Sequence, residues 1–420
     1  MDGYGSSRND STYVMGNGQQ IAFGIDRVIR EYPAWKNRRI GIVTNDAAIC
    51  ADDASTTSRE RLLAEDFELV RLFSPEHGIS RVGADGHPVD DISDPITGLP
   101  IISLYGPRLQ PTAEHFKNVE LLLFDLPDIG TRFYTYIWTL SHVMEACAEA
   151  GCPLVVLDRP NPIGGELALS EGPMLDEECC SSFIGRFDIP IRHSLTIGEL
   201  ARLWAKERIK NVDLEVIPCS GLNRTDHWPD LGVPFIPTSP SMPSYLSALI
   251  YPGTGLFEAT NVSVGRGTEF PFQWIGAPWL NPTILHQQLD EWDVSDSVDI
   301  RYEEKQPKLE PWKNQKCYGL RFQPWDAKSF KPVQFGLLLL SAVIETHYAF
   351  FRWKKYETNV NPDGNDHFQR LISRNDVEEL FDEPYKQRNP KLKQITEESR
   401  ESWEKRVGDI LLYPSPYHTA

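Results

Sequence analysis

Val119-Glu120-Leu121-Leu122-Leu123-Phe124-Asp125-Leu126-Pro127-Asp128-Ile129-Gly130 passes from an apolar, β-prone run straight into two carboxylates, a Pro and a Gly. The same shape occurs twice more. Phe67–Phe73 leads into Ser74-Pro75-Glu76-His77-Gly78, and Leu154–Leu157 leads into Asp158-Arg159-Pro160-Asn161-Pro162. Continuous apolar runs of this length suit strands buried on both faces, as in a parallel sheet. Ligands of open α/β sheets bind outside the carboxyl ends of the strands. Acidic strand ends in one half of the chain therefore predict one site, built from loops distant in sequence.

Working outward, Ile40–Thr44 reads as a first strand and Thr57–Glu65 as a helix before the strand at Phe67. A long loop, Ser74–Gly98, leads to a strand at Pro100–Tyr105, and a short helix near Thr112–Phe116 precedes the strand at Val119. Thr131–Ala150 reads as a helix stopped by Gly151, and Thr196 with Glu199 forms a capping-box pattern for a helix over Thr196–Glu207. Leu214–Pro218 is a further strand candidate. This alternation predicts an α/β fold with a Rossmann-like, doubly wound sheet over residues 21–220.

Six prolines between Pro229 and Pro252 predict a rigid, irregular segment over Trp228–Gly253, inside a cleft-lining stretch from 221 to 280. From Asn281 the pattern becomes mixed, with helices expected at Thr283–Trp292, Phe335–Phe350, Asn375–Phe381 and Ile395–Leu411. Residues 281–420 are read as a smaller α+β C-terminal domain. Residues 1–20, polar and rich in Gly, Ser and Asn, read as a disordered leader without the apolar core of a signal peptide.

Composition narrows the function. The 42 Lys and Arg against 60 Asp and Glu give a net charge of −18, which opposes nucleic-acid binding. No apolar run approaches the ~20 residues of a membrane span. The seven cysteines show no zinc spacing and read as free thiols of a reducing, cytoplasmic setting. No Walker A, H-E-x-x-H or G-x-S-x-G pattern occurs, and Gly265-Arg266-Gly267 lacks the third Gly of a dinucleotide fingerprint, so no cofactor is expected.

Glu76, between Pro75 and Gly78 at a strand end, is placed as a general acid would be, with His77 beside it. Its plain structural alternative is a turn-capping carboxylate. Asp125 and Asp128 bracket Pro127, and Asp128 equally suits the cap of the helix that follows. Arg132 and Tyr134 start that helix, Asp158, Arg159 and Asn161 form a tight strand-end loop, and His193 precedes a capped helix. Glu258, Asn261 and Arg266 lie in a Gly-punctuated polar stretch that suits an oxygen-rich ligand. Such a cleft fits saccharide hydrolysis, where two carboxyl groups flank the scissile bond. It also fits a metal-dependent hydrolase using Glu76, His77, Asp125, Asp158 and His193, or a non-catalytic sugar-binding protein.

The ordered motifs resemble the NamZ-type exo-β-N-acetylmuramidase family, formerly a domain of unknown function. They are Ser74-Pro75-Glu76-His77-Gly78, Asp128-Ile129-Gly130 with Arg132-Phe133-Tyr134, Leu157-Asp158-Arg159-Pro160-Asn161-Pro162, Pro240-Ser241-Met242-Pro243, Glu258-Ala259-Thr260-Asn261, Gly265-Arg266-Gly267-Thr268 and the closing Leu411-Leu412-Tyr413. The resemblance implies a Rossmann-like domain joined to a smaller one, and removal of a non-reducing terminal N-acetylmuramic acid, or a related amino sugar, from peptidoglycan fragments. It implies Glu76 as catalytic acid, with Asp125, Asp128 or Glu258 as second carboxylate. A lactyl carboxylate on the substrate would give Arg132, Arg159 or Arg266 a partner. Relatives commonly look exported, so the resemblance points outside the cytoplasm. Glu269 stands where relatives tend to lack an acid, and is expected to favour a neutral amino sugar.

Overall fold

The computed structural model describes residues 20–83, 86–87 and 92–415. The expected leader, apart from Gln20, lies outside the described residues.

The first half builds one mixed sheet. Its strands are β1 (Ile40–Thr44), β2 (Leu69–Ser74), β3 (Ile92–Ser93), β4 (Pro100–Ser103), β5 (Leu121–Asp125), β6 (Leu154–Leu157), a separate antiparallel pair β7 (Glu171–Met174) and β8 (Pro190–Arg192), and β9 (Leu214–Ile217). The order across the sheet is β3-β4-β2-β1-β5-β6-β9, with β3 antiparallel at the edge and the other six parallel. Among the six parallel strands the chain runs outward from β1 in both directions, the doubly wound Rossmann order. β1, β5 and β6 are buried at every residue, which is why each reads as an unbroken apolar run.

The helices of this half are α1 (Gly24–Glu31), α2 (Ser58–Ala64), α3 (Tyr136–Ala150), α4 (Glu177–Cys180) and α5 (Ile197–Glu207). α3 starts five residues later than the sequence pattern suggests, because Thr131–Thr135 is spent on the loop that leaves β5. It ends at Gly151 with a φ of 64°, a left-handed stop. α5 carries the expected capping box. Thr196 accepts from the Glu199 amide at 3.2 Å, and Glu199 accepts from the Thr196 amide at 3.0 Å.

The second half adds α6 (Tyr245–Thr254), the strands β10 (Trp274–Ala277), β11 (Val298–Lys305) and β12 (Cys317–Pro324), and the helices α7 (Pro282–Glu291), α8 (Pro332–His347), α9 (His367–Ile372), α10 (Tyr385–Glu397) and α11 (Arg400–Val407). The three strands form an antiparallel sheet in the order β10-β12-β11. The fold is thus α/β with a smaller second part built on an antiparallel sheet, as the sequence predicts.

Several elements differ from expectation. The irregular segment expected up to Gly253 folds into α6 from Tyr245, with Pro252 in its last turn. Packing overrides the proline there: a Cβ on Gly253 would stand 1.9 Å from the Pro332 carbonyl oxygen of α8, so the two helices meet backbone to backbone. The helix expected over Ile395–Leu411 is two helices, α10 and α11, broken at Glu398-Ser399. Asn375–Phe381 yields only a 3-10 turn at Glu379–Asp382.

Two apolar clusters cover the two faces of the large sheet. One, with Ile42, Leu123 and Leu157, takes in α1, α2 and Tyr413 near the end of the described chain. The other, with Val43, Leu122 and Phe124, continues without a break through α3, α5, α6, α8 and α10. The second half therefore shares one continuous apolar cluster with that face, while α8 packs against α6, α7 and α10 within it. Among the described residues no helix is long and apolar enough to cross a membrane. All seven cysteines are unpaired thiols.

Candidate active site

In the observed strand order the chain reverses direction between β1 and β5, the place where open α/β sheets hold their ligands. A cavity partly open to solvent lies beside the carboxyl ends of β2, β4 and β5. Glu76 and His77 enter it from the end of β2, Tyr105 from the end of β4, and Phe133, Tyr134 and Thr135 from the loop after β5. Further lining comes from later in the chain: Ser239, Ser241 and Met242 of the Pro-rich segment, Tyr251 of α6, Glu258 and Arg266, and His367, Arg370 and Leu371 of α9.

Glu76 is 7% exposed and held by both oxygens. Oε1 accepts the Gly86 amide at 2.8 Å, and Oε2 meets the Thr135 hydroxyl at 2.7 Å. A backbone N–H can only donate, whereas a hydroxyl can donate or accept, so Oε2 is the oxygen able to carry a proton. The loop behind it is tightly wound. His77 has a φ of 69°, rare for a residue with a Cβ, and its Nδ1 lies 2.9 Å from the Gly83 carbonyl oxygen. Below the floor, Tyr136 donates to the Thr238 carbonyl at 2.7 Å, and Tyr134 donates to the Thr238 hydroxyl at 2.6 Å. Burial pushes both phenols up, so they remain neutral donors.

Glu258 is the second carboxylate on the cavity wall. It sits on a 3-10 turn, Gly255–Ala259, that continues directly from α6. Arg266 holds its Oε1 with Nε at 2.7 Å and Nη2 at 2.6 Å, and stacks its guanidinium over the Phe272 ring.

The other acidic strand ends do a different job. Asp125 is fully buried and paired end to end with Arg159, Nε–Oδ1 at 2.5 Å and Nη2–Oδ2 at 2.9 Å, with the Ser58 hydroxyl on its second oxygen. Asp158 accepts from the Thr196 hydroxyl and the Gly198 amide, each at 2.7 Å, and from the Tyr413 hydroxyl. Burial, and next the Glu199 carboxylate, lift its pKa to about 6. Asp128 caps the turn at the Gly130 amide, 2.8 Å, and takes the His193 Nε2 proton at 3.1 Å, while the Leu195 amide fixes that tautomer by donating to Nδ1. Asn161 ties the same turn to the Leu195 carbonyl at 3.0 Å, and leaves no room for a Cβ on Gly130.

Arg132, expected to meet a substrate, is fully buried and spends its fork on three carbonyls: Pro173 at 2.7 Å, Ile189 at 2.9 Å and Leu371 at 2.9 Å. Asn261 is likewise turned away, joining the Phe350 carbonyl and the Arg352 amide. Glu269 points to solvent and pairs with Lys305, so it does not reach the cavity. The residues expected here thus divide. Glu76, His77, Tyr134, Glu258 and Arg266 line the cavity, whereas Asp125, Asp128, Arg132, Asp158, Arg159, Asn161, His193 and Asn261 hold the loops around it. The five hard ligands expected for a metal do not converge. Among the described residues the one cluster of that kind is Asp26, Cys50 and Asp52, outside this cavity.

Sequence reading passed over two lining residues, His367 and Arg370, which stand one turn apart on α9. A single short helix with no motif gave no signal for them. Thr135 and Gly86, the two partners of Glu76, carry no expected role in the sequence, because that role depends on contacts across the fold.

Two family models match in succession: the N-terminal part of the exo-β-N-acetylmuramidase NamZ family over residues 40–246, and its C-terminal part over residues 249–413. The chain is 39% identical over 341 residues to the peptidoglycan β-N-acetylmuramidase NamZ of Bacillus subtilis, covering 80% of this chain and 81% of the relative. It is also similar to two crystal structures of DUF1343 family proteins from Bacteroides fragilis. One has a TM-score of 0.81 and covers 94% of this chain and 99% of its own, and the other has a TM-score of 0.70 and covers 94% and 100%; each is 27% identical.

Proposed function

The chain belongs to the exo-β-N-acetylmuramidase NamZ family, and from that premise we propose that this cavity hydrolyses the glycosidic bond of a non-reducing terminal N-acetylmuramic acid in peptidoglycan fragments. The observation that carries the reading is the presence of two carboxylates, Glu76 from the first half and Glu258 from the second, lining one cavity. Glycoside hydrolysis needs such a pair, one group to protonate the leaving oxygen and one to support or attack the cationic carbon.

Glu76 takes the acid–base role. Its Oε1 is fixed by the Gly86 amide, and its Oε2 exchanges a proton with the bond being broken, with the Thr135 hydroxyl as the alternate partner. Glu258, oriented by Arg266, serves as the second carboxylate. Tyr105, Phe133, Tyr251 and Phe272 supply flat apolar walls of the kind that suit the faces of a sugar ring. The loop-holding residues, from Asp125 to His193, fix where these groups stand.

The test is release of free N-acetylmuramic acid from a disaccharide that carries it at the non-reducing end, followed by mass spectrometry with and without EDTA. Release from that end, unchanged by the chelator, is the expected result. Loss of release with EDTA would move the reading to a metal-dependent hydrolase. Retention of the sugar without turnover would make the chain a binding protein.

A further inference from the structure

Muramic acid differs from glucosamine by one feature, a lactyl ether ending in a carboxylate. A site that selects it must present a cation not already committed to the protein's own acids. Four charged side chains line the cavity among the described residues: Glu76, Glu258, Arg266 and Arg370. Arg266 is engaged by Glu258. The Arg370 guanidinium, among the described residues, has no acceptor within hydrogen-bond distance and no carboxylate within ion-pair distance.

Its neighbour shows the same unmet need. His367, three residues earlier and hence on the same side of α9, is 8% exposed, and its Nε2 is buried without a hydrogen-bond partner among the described residues. Burial, followed by the Arg370 and Arg266 charges, lowers its pKa to about 3, so it stands as a neutral imidazole able to offer an N–H. Buried polar atoms of native proteins are normally satisfied, so an unpartnered one on a residue that lines a cavity calls for a partner that the chain does not supply.

The helix that carries the two is short and sharply bounded. α9 has six residues and is bounded by non-glycine residues in left-handed conformation, Asp366 with a φ of 55° and Ser373 with a φ of 65°. The buried Arg132 fixes its last turn by donating to the Leu371 carbonyl at 2.9 Å, while joining that helix to the carbonyls of Pro173 and Ile189. Left-handed non-glycine residues persist where surrounding contacts over-determine them, and they gather at ligand clamps.

We infer that Arg370, assisted by the Nε2 of His367, is the recognition site for the lactyl carboxylate of the muramyl substrate. The inference rests on the muramidase reading for its ligand. The planar fork of Arg370 receives both carboxylate oxygens or one of them, and His367 donates to the second.

Calorimetric titration of the full chain tests this without relying on turnover. The two ligands are N-acetylmuramic acid and the same sugar with its lactyl carboxyl reduced to the alcohol. The wild-type protein is expected to bind the acid roughly 10–100-fold more tightly than the alcohol, the range of a charge-assisted hydrogen bond. In Arg370→Gln that ratio is expected to fall to near one, with alcohol binding unchanged. Arg370→Lys keeps the charge without the fork and should give an intermediate ratio. If Arg370→Gln does not fold, Arg370→Leu keeps the apolar stem and carries the same comparison. An undiminished ratio in the Arg370 variant, or a wild-type ratio near one, overturns the inference. Strong discrimination in a protein that cleaves no muramide would instead overturn the glycosidase reading and leave this one standing.

Discussion

At the scale of single residues, the same side-chain types perform two jobs that a sequence cannot separate. An Asp that ends a strand and precedes a Pro or Arg fits catalysis and loop-holding equally well. Only the contacts across the fold decide. Asp125 is committed to Arg159 and Ser58, so Asp125→Ala should leave a buried guanidinium uncompensated. Urea unfolding is expected to show a loss of about 3–5 kcal/mol, the scale for breaking a buried ion pair. Asp158 offers a pH signature. Its pKa is raised from 3.8 to about 6 in the folded protein, so between those values the native state holds a proton that the unfolded chain releases. Its contribution is therefore fully present below about pH 4 and lost as the pH rises through 6. Relative to Asp158→Asn, wild-type stability should decline by about 3 kcal/mol across that window, at 1.36 kcal/mol per unit. Urea midpoints at several pH values measure this, and parallel profiles for the two proteins would contradict it.

At the scale of elements, the strands were legible because burial on both faces leaves an unbroken apolar run. β1 and β6 match the expected bounds residue for residue, and β5 starts two residues later than expected. The Thr196 cap and the Gly151 stop were legible because capping is local chemistry. α6 was not, since six prolines in the segment argue against a helix and the contact that allows it is made with α8, far along the chain. A Cβ on Gly336 would lie 2.3 Å from the Gly253 Cα, so neither glycine tolerates a side chain. Gly253→Ala should cost at least about 1–3 kcal/mol by overpacking. Because the turn bearing Glu258 follows α6 directly, the same variant should lose activity beyond its loss of stability, seen as a lower kcat in protein that remains folded. α9 was missed for the reason that α6 was misread, namely that its value comes from what it faces.

For the whole molecule, the central fact is that one apolar cluster runs from the sheet into the second half. The expected boundaries at 220 and 280 mark changes of pattern, and both sides of each contribute to that cluster. Residues 20–246 expressed alone should therefore expose apolar residues that the second half buries, and show a non-cooperative thermal transition; a sharp, cooperative melt would contradict a shared core. This arrangement also explains the cavity. Glu76 belongs to the sheet, Glu258 and Arg370 to the half packed on it, and the fold of each fixes the distance between them.

Glu76 is the residue proposed to donate the proton to the leaving group. The most direct test compares wild type and Glu76→Gln on two β-N-acetylmuramides that differ only in leaving group, one a good phenolate and one a sugar hydroxyl. A poor leaving group needs its proton, whereas a good one does not. The variant is expected to lose kcat/KM by about 10²–10⁴ on the sugar aglycone and far less on the phenol. Equal losses on the two substrates, or none on either, would contradict the assignment.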